Sequence, residues 1–570
     1  MKVIDFRDAS CRHCYKCVRN CSVKAISVKN AQAHIITENC IHCGHCLEVC
    51  PQNAKTFSSD LDRIKSWLRQ GAKIVVSIAP SYLSVLSYDK PGQVVDALLR
   101  LGFYEVRETA EGAAYVTREY QKLIKEGGMK NIITTCCPSV NDLVEKYYPS
   151  LASQMAPVVS PMIAHGRLIK KIYKDTVKVV FLGPCIAKKA EAEGDERVAG
   201  AIDAILTFDE LTEWLKAEGI RIIDCEEKAL GNPNPEVNRL YPVSGGIVKS
   251  VLAEEEAENY KKVYVDGLNA CMELFESMER DEISGCFLEV NICEGGCIKG
   301  PASHNWNRSF VKGKLKVESY VPRETAPRQE TPDVEMEKHF CDRRIKEPVP
   351  SERELSGILH AMGKYTKEDE LNCGACGYPS CRAKAEAVYR NKAEISMCLP
   401  YALAQAESMS NVILDATPNL NFVVDRELRI RECNKRAQEF LNISREEALE
   451  SYIFEYINEE DVEEVFKEKA PVIRKKLDLK ELGIIALETV VYIEKKDCVL
   501  VILQDVTREE KAREQRFKQK LETMEIAQQV INKQMMVAQE IAGLLGETTA
   551  ETKVTLTKLR DSVLSEEEGD

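Results

Sequence analysis

Apolar positions follow a different rhythm in each part of the chain. Between residues 71 and 318, short, mainly apolar runs at 74–78, 178–182 and 286–292 alternate with amphipathic stretches. Mainly apolar runs of strand length predict strands, and the stretches between them predict helices, so this part reads as α/β. Residues 321–352 are rich in proline and charge and predict a linker. A short helical unit, 353–403, precedes a mixed unit at 404–508 with strand runs at 421–424 and 499–503. After Thr507 the apolar positions step by four and three through Phe517, Leu521, Met524, Gln528, Ile531, Met535, Ala538, Ala542 and Leu545. That is the a/d seam of a coiled coil with Gln528 as a polar register position; a helix packed on its own domain is the alternative. The chain closes on an acidic stretch, Glu566 to Asp570, expected to fray.

The 570 residues exceed what one core holds, so several domains are expected. A formal charge of −13 disfavours nucleic acid as the main partner, because binding phosphate needs a basic surface. No basic segment followed by an apolar stretch opens the chain and no run of about 18 apolar residues occurs, so a cytoplasmic protein that neither is exported nor spans a membrane is expected.

Cysteine changes the picture most. Of 23, eight fall before residue 51, five lie in three short motifs between 136 and 297, and four lie between 373 and 398. Without an export signal they are expected to stay reduced and to bind metal rather than form disulfides. The six singles, Cys225, Cys271, Cys286, Cys341, Cys433 and Cys498, are expected to be small core residues.

In residues 1–60, Cys11, Cys14, Cys17 and Cys21 are repeated by Cys40, Cys43, Cys46 and Cys50. This resembles the bacterial two-cluster ferredoxin run, in which the fourth cysteine of each run crosses to the other cluster. The resemblance implies one [4Fe–4S] cluster on Cys11, Cys14, Cys17 and Cys50 and a second on Cys40, Cys43, Cys46 and Cys21. Pro51 follows the second run as the pattern asks, whereas Ser22 replaces the first proline. Paired zinc knuckles are the alternative. Cys373, Cys376, Cys381 and Cys398, with Gly374 and Gly377 between them, are similar to the small four-cysteine cluster domain of anaerobic redox proteins, which implies another [4Fe–4S] cluster; structural zinc is the alternative.

Three further motifs sit at or just beyond strand-like runs: Thr134-Thr135-Cys136-Cys137-Pro138, Gly183-Pro184-Cys185-Ile186-Ala187-Lys188-Lys189, and Glu289-Val290-Asn291-Ile292-Cys293-Glu294-Gly295-Gly296-Cys297. In this order they resemble the three signatures of [FeFe]-hydrogenases, over most of residues 75–302. The resemblance implies that Cys137, Cys185, Cys293 and Cys297 hold the [4Fe–4S] part of the H-cluster. Cys297 would bridge to a two-iron subcluster with CO, cyanide and azadithiolate ligands. Lys188 would donate to a cyanide, Ala79 and Pro80 would back the pocket, and Cys136 would pass protons to the bridging amine, a task suited to a thiol of near-neutral pKa. Counted back from Cys136, Glu119 falls at an inner glutamate of the family's proton path.

The departures are also informative. Two pocket methionines are Gly183 and Asn291, the outer glutamate is Val116, a relay serine is Ala156, and the glutamate expected after Gly245-Gly246-Ile247-Val248 is Lys249. A relay cannot pass through Val or Ala unless water fills the gap, so a slow site is expected.

Residues 411–507 resemble a PAS sensory domain: Asp415-Ala416-Thr417-Pro418 opens it, Phe422-Val423-Val424-Asp425 gives its first strand, Asn434 follows the second, and Asp505-Val506-Thr507 is its exit. No haem or flavin ligand stands out, so the PAS ligand is left open. The expected architecture is a multidomain α+β and α/β chain: a two-cluster ferredoxin-like domain (1–60), an H-cluster domain (61–320), a linker (321–352), a four-cysteine [4Fe–4S] domain (353–403), a PAS domain (404–508) and a coiled-coil signalling tail (509–570). This order resembles the sensory [FeFe]-hydrogenases of anaerobic bacteria. It implies H2 and protons as substrates, ferredoxin or another redox carrier, a signalling phosphatase or kinase as partner, and a homodimer through PAS and coil. A catalytic ferredoxin-linked hydrogenase with PAS as a docking module, and a non-catalytic iron–sulfur assembly scaffold of the same fold, are the other readings.

Overall fold

Strand Ile74–Ile78 lies between Glu105–Glu108 and Lys178–Gly183 in a four-stranded parallel sheet, with Ala204–Thr207 beyond the latter. Every residue of Ile74–Ile78 is buried, which is why four of its five residues are apolar without alternation: a strand packed on both faces has no solvent side on which to alternate, and Ser77 is its one polar residue. A second parallel sheet has Cys286–Asn291 at its centre, Lys261–Asp266 on one side and the two-residue strand Ile132–Ile133 on the other. Before these come a hairpin, Ile26–Lys29 with Gln32–Ile35, and the antiparallel pair Ile4–Phe6 with Lys55–Phe57. The computed structural model describes residues 3–6, 10–232, 237–251, 260–303, 309–321, 332–480, 482–542 and 550–565. It divides into two units, Met1–Ala402 and Leu403–Asp570. Among the described residues no helix is long and apolar enough to cross a membrane.

Three expectations are corrected within the first unit. The described part of the expected linker is a strap on the preceding domain: Val159 N donates to Met336 O, Lys338 N to Pro157 O and Arg343 N to Glu145 O. Lys338 is buried and pairs with Asp195 at 2.8 Å, so charges that suggested a solvated linker are spent on ion pairs. The expected helical unit at 353–403 is broken: helix Cys381–Tyr389 ends early, and the left-handed φ of 54° at Asn391 turns the chain out of helix. Cys341 is exposed, whereas the other five single cysteines are buried.

The second unit is a five-stranded antiparallel sheet in the order Ile430–Cys433, Leu420–Val424, Cys498–Asp505, Ile484–Ile493, Val472–Leu479. Asn434 ties its entrance together: Oδ1 accepts from Asn421 N and Ala437 N, and Nδ2 donates to Leu414 O. At its exit Thr507 Oγ1 donates to Asp505 and accepts from Ile485 N at 2.9 Å, fastening the start of the 36-residue helix Thr507–Ala542 to the sheet. Phe517 and Leu521 on that helix are exposed; Leu545 and the acidic end at 566–570 lie outside the described residues.

Inside this sheet Glu488 is fully buried and neither carboxylate oxygen finds a donor, while neighbouring Asp461 is bound by Lys475 at 2.6 Å. Burial, then the adjacent Asp461, pushes the Glu488 carboxyl up to about 8, so it keeps its proton. A raised carboxyl pKa contributes stability that is complete below the unfolded value of about 4.3 and is lost as pH rises through the folded value. The strand Ile484–Ile493 should therefore exchange its amides faster as pH is raised from 6 to 8.5, after correction for intrinsic exchange. Glu488→Gln should remove that excess.

Candidate active site

The C-terminal ends of parallel strands are where an α/β fold gathers chemistry, and both sheets deliver their motifs there. Ile132–Ile133 leads into Cys136 and Cys137, Lys178–Gly183 into Cys185, and Cys286–Asn291 into Cys293 and Cys297. Cys137 caps helix Pro138–Tyr147, and Cys185 accepts from the backbone amides of Ala187 and Lys188 at the start of Ala187–Gly194. Sulfur at a helix N-terminus faces the positive end of the peptide dipoles, which favours thiolate.

Cys137, Cys185, Cys293 and Cys297 come together. Burial pushes Cys185 up to about 11 and Cys293 and Cys297 higher, and each is raised further by its thiol neighbours. Among the described residues no set of three or more His, Cys, Asp or Glu closes tightly enough for a single ion. A cube of iron and sulfide instead takes four sulfurs held apart at its corners. Four half-buried sulfurs that repel one another as thiolates, with few donors of their own, fit such a group.

Cys185 and Cys297 also open on a cavity of about 90 Å³ whose wall includes Ala79, Pro80, Cys136, Lys188 and Asn291. Lys188 Nζ donates to Glu191 at 2.7 Å and to Cys136 O at 3.1 Å, which fixes the ammonium at the cavity. Ser160 Oγ steadies Glu191 from the other side at 2.9 Å. Glu191 and Ser160 were absent from the sequence reading; the i,i+3 spacing of Lys188 and Glu191 on one helix was the available signal.

Cys136 Sγ lies 3.3 Å from the hydroxyl of the buried Tyr120, which accepts from Thr135 N at 2.9 Å. Burial pushes the Cys136 thiol up to about 12, against the near-neutral value expected from sequence, and leaves it a protonated donor. Glu119 does not reach the cavity: its side chain is 28% exposed and pairs with Lys122 at 2.6 Å. Val116, one turn earlier on helix Ala110–Glu126, is the fully buried position. The expected order is thus reversed, with 116 inside and 119 outside, because the helix turns Ala113, Val116, Thr117 and Tyr120 into the core.

Gly183 has a packing reason. A Cβ there would lie 2.6 Å from the Phe181 ring and 3.3 Å from Ala79 Cβ, so Phe181 occupies the space a longer residue at 183 would need. Gly183→Ala should cost about 1–3 kcal/mol by overpacking, read as a lower denaturation midpoint of the 61–320 region. Adding Phe181→Leu should recover part of it.

Three more sulfur clusters lead away from this site. Cys21, Cys40, Cys43 and Cys46 raise one another's pKa. Cys11, Cys14, Cys17 and Cys50 line one small cavity, and Cys373, Cys376, Cys381 and Cys398 line another. The four sets share apolar packing in sequence. Cys40 and Cys43 lie in one core with Cys137, Cys21 and Cys46 also touch a second core with Cys17, and Cys376 belongs to that second core. Gly44 makes the first junction close, since a Cβ there would meet Pro301 at 2.6 Å.

Residues 72–301 match the family of the iron-only hydrogenase large subunit, C-terminal domain. Residues 10–54 match the 4Fe-4S dicluster domain, 369–400 an Fe-S cluster family and 409–506 the PAS fold. The hydrogenase match is thus flanked by two iron–sulfur matches and followed by a PAS match. It is 27% identical over 306 residues to iron hydrogenase 1 of Clostridium pasteurianum, covering 44% of this chain and 53% of that protein. It is 25% identical over 342 residues to the NADP-reducing hydrogenase subunit HndD of Solidesulfovibrio fructosivorans, covering 49% and 58%. A cytosolic Fe-S cluster assembly factor, NAR1 of Saccharomyces cerevisiae, is 24% identical over 213 residues, covering 32% and 43%. The chain thus spans well under two thirds of each of these relatives. A solved variant of the [FeFe]-hydrogenase HydA1 from Chlamydomonas reinhardtii aligns at 16% identity and a TM-score of 0.40, over 50% of this chain and 100% of that one.

Proposed function

We propose that this protein is a hydrogen sensor of the [FeFe]-hydrogenase type. In this reading the hydrogenase domain reacts slowly with H2, electrons leave through the [4Fe–4S] clusters, and the PAS unit and its helix report to a signalling partner. The observation that carries the reading is the set Cys137, Cys185, Cys293 and Cys297, two of whose members, Cys185 and Cys297, share one small, largely apolar cavity with Cys136, Lys188, Ala79 and Pro80.

When bound, the two-iron group with its CO, cyanide and azadithiolate ligands supplies the splitting of H2 into two protons and two electrons. Cys297 would hold it to the [4Fe–4S] cluster kept by the other three cysteines. Lys188, pinned by Glu191, would offer its ammonium as a hydrogen-bond donor to a cyanide. Cys136, kept as a thiol by burial, would hold a proton at Sγ on the cavity wall. Phe181 and Met162 would exclude water beside it. The sulfur sets at Cys43, Cys17 and Cys376 would carry electrons outward in that order, toward ferredoxin or another carrier. A buried path interrupted at Val116 and Ala156 supports slow turnover, and the PAS unit supports signalling rather than bulk hydrogen metabolism.

The likeness to the NAR1 assembly factors favours a second reading, a scaffold without the two-iron group. Lys188, Cys136, Ala79 and Pro80 on a shared cavity weigh against it, because a scaffold has no use for them. Infrared spectra of the matured protein separate the readings. CO and cyanide bands that move on adding H2 are expected, with turnover far below roughly 10³ s⁻¹. No such bands would leave the scaffold; turnover at that level would leave a bulk hydrogenase.

A further inference from the structure

The polar contacts of Cys136 lead inward and stop. Tyr120 takes its bond from Thr135 N, Thr135 Oγ1 donates to Val158 O at 2.7 Å, and Val116 and Ala156 beyond are fully buried. A second line, Tyr241 to Thr117 to Asn238, ends on a side-chain amide, which does not shuttle protons at neutral pH.

A third line runs outward. Thr109 lines the same cavity as Cys136 and Lys188. Its Oγ1 lies 2.8 Å from Ser77 Oγ, Ser77 Oγ lies 2.7 Å from His165 Nδ1, and His165 Nε2 lies 3.0 Å from Glu111 Oε2. Ser77 and His165 are completely buried, whereas the Glu111 side chain is 16% exposed and is bound by the buried Arg107. Three elements set this line: strand Ile74–Ile78 and helices Ala110–Glu126 and Pro161–Ile172. The two helices touch at Gly112, where a Cβ would lie 2.6 Å from His165 Cβ, so their close approach sets the backbone position from which the imidazole reaches both partners.

The bonds have one consistent direction. Burial lowers the His165 pKa, which favours the neutral ring. With Nε2–H donating to the Glu111 carboxylate, Nδ1 accepts from Ser77 and Ser77 accepts from Thr109. Hydroxyl, hydroxyl, imidazole and carboxylate can each take a proton on one side and release one on the other. A histidine that merely fastens the two helices would need one partner; this one has a partner on each nitrogen, and the line begins at the cavity and ends at solvent.

We propose that Thr109, Ser77, His165 and Glu111 are a proton relay between the cavity and the outside, in place of the route closed at Val116 and Ala156. For each proton Thr109 takes up at the cavity, one passes from Thr109 to Ser77, one from Ser77 to His165 Nδ1, one from His165 Nε2 to Glu111, and one from Glu111 to water. Rotation of the two hydroxyls and a half-turn of the imidazole, which carries its N–H back to the Glu111 side, reset the line. The relay rests on the hydrogen chemistry proposed above for the cavity.

The test uses the full-length matured protein and His165→Phe, with Ser77→Ala as the milder variant should the first misfold. Hydrogen oxidation with an artificial acceptor should fall at least tenfold in either, with unchanged CO and cyanide bands and a larger solvent isotope effect. In protein lacking the two-iron group and labelled with 15N-histidine, the His165 Nε2 proton should exchange with D2O within seconds, and Glu111→Gln should slow this at least tenfold. Unchanged turnover in both relay variants, or a ring proton that persists for hours in the unmodified protein, overturns the relay. Absent CO and cyanide bands in the unmodified protein overturn the hydrogen reading itself, and the relay with it.

Discussion

Cys297→Ala or Cys137→Ala should abolish every CO and cyanide band of the matured protein, whereas Cys136→Ala should keep them and lose hydrogen turnover by about 10²–10⁴-fold, the usual worth of a positioned proton donor. The two adjacent thiols have different surroundings. Cys137 sits at the cap of helix Pro138–Tyr147, in the group with Cys185, Cys293 and Cys297. Cys136 faces the cavity with Tyr120 at its sulfur and the Lys188 ammonium on its carbonyl. Losing a cluster ligand removes what holds the group; losing the cavity thiol removes a donor and leaves the holders in place. Iron content and infrared spectra of the three variants check this, and loss of bands in Cys136→Ala would mean the two roles are exchanged.

Cys376→Ser and Cys381→Ser should leave hydrogen oxidation with an artificial acceptor largely intact, yet abolish any hydrogen-dependent change in amide exchange over residues 517–542. The set at Cys373, Cys376, Cys381 and Cys398 shares a core with Cys17, and Lys24 Nζ binds Gly377 O at 2.7 Å, so its reduction follows that of the ferredoxin region. Cys398 is followed at once by helix Leu399–Asp415, which carries the chain into the PAS unit. Signalling requires that a change of cluster charge bias an element that the PAS helix also feels, and this junction is the candidate by chain order. Equal exchange over 517–542 with and without hydrogen in the unmodified protein would exclude this route.

The sequence by itself determined the parts that depend on covalent spacing. A cluster ligand must be a cysteine at a workable separation, so the ferredoxin repeats, the Cys373–Cys398 set and the three strand-end motifs could be located without coordinates. Mainly apolar runs located the buried strands Ile74–Ile78, Lys178–Gly183 and Cys286–Asn291 to within a residue or so, because a strand with two buried faces is mostly apolar and does not alternate. Strand Val472–Leu479 escaped, since most of its residues are exposed and its side chains are mainly charged. Its register is set by its neighbour Ile484–Ile493 rather than by its own pattern.

Tertiary structure alone decided what depends on contacts between distant residues. It turned Glu119 outward and Val116 inward, because the buried stripe of helix Ala110–Glu126 runs through Ala113, Val116, Thr117 and Tyr120 and leaves 119 on its rim. It folded the residues after 332 back as a strap, because the charges on Lys338 and Arg343 find buried partners at Asp195 and Glu145. It put Phe181 where Gly183 leaves room, and it joined Thr109, Ser77, His165 and Glu111 into one line. Those four residues come from one strand, the start of one helix and the middle of another, and no spacing in the sequence links them. Hydrogen bonds act over about 3 Å between side chains whatever their separation along the chain, so only packing could bring these together.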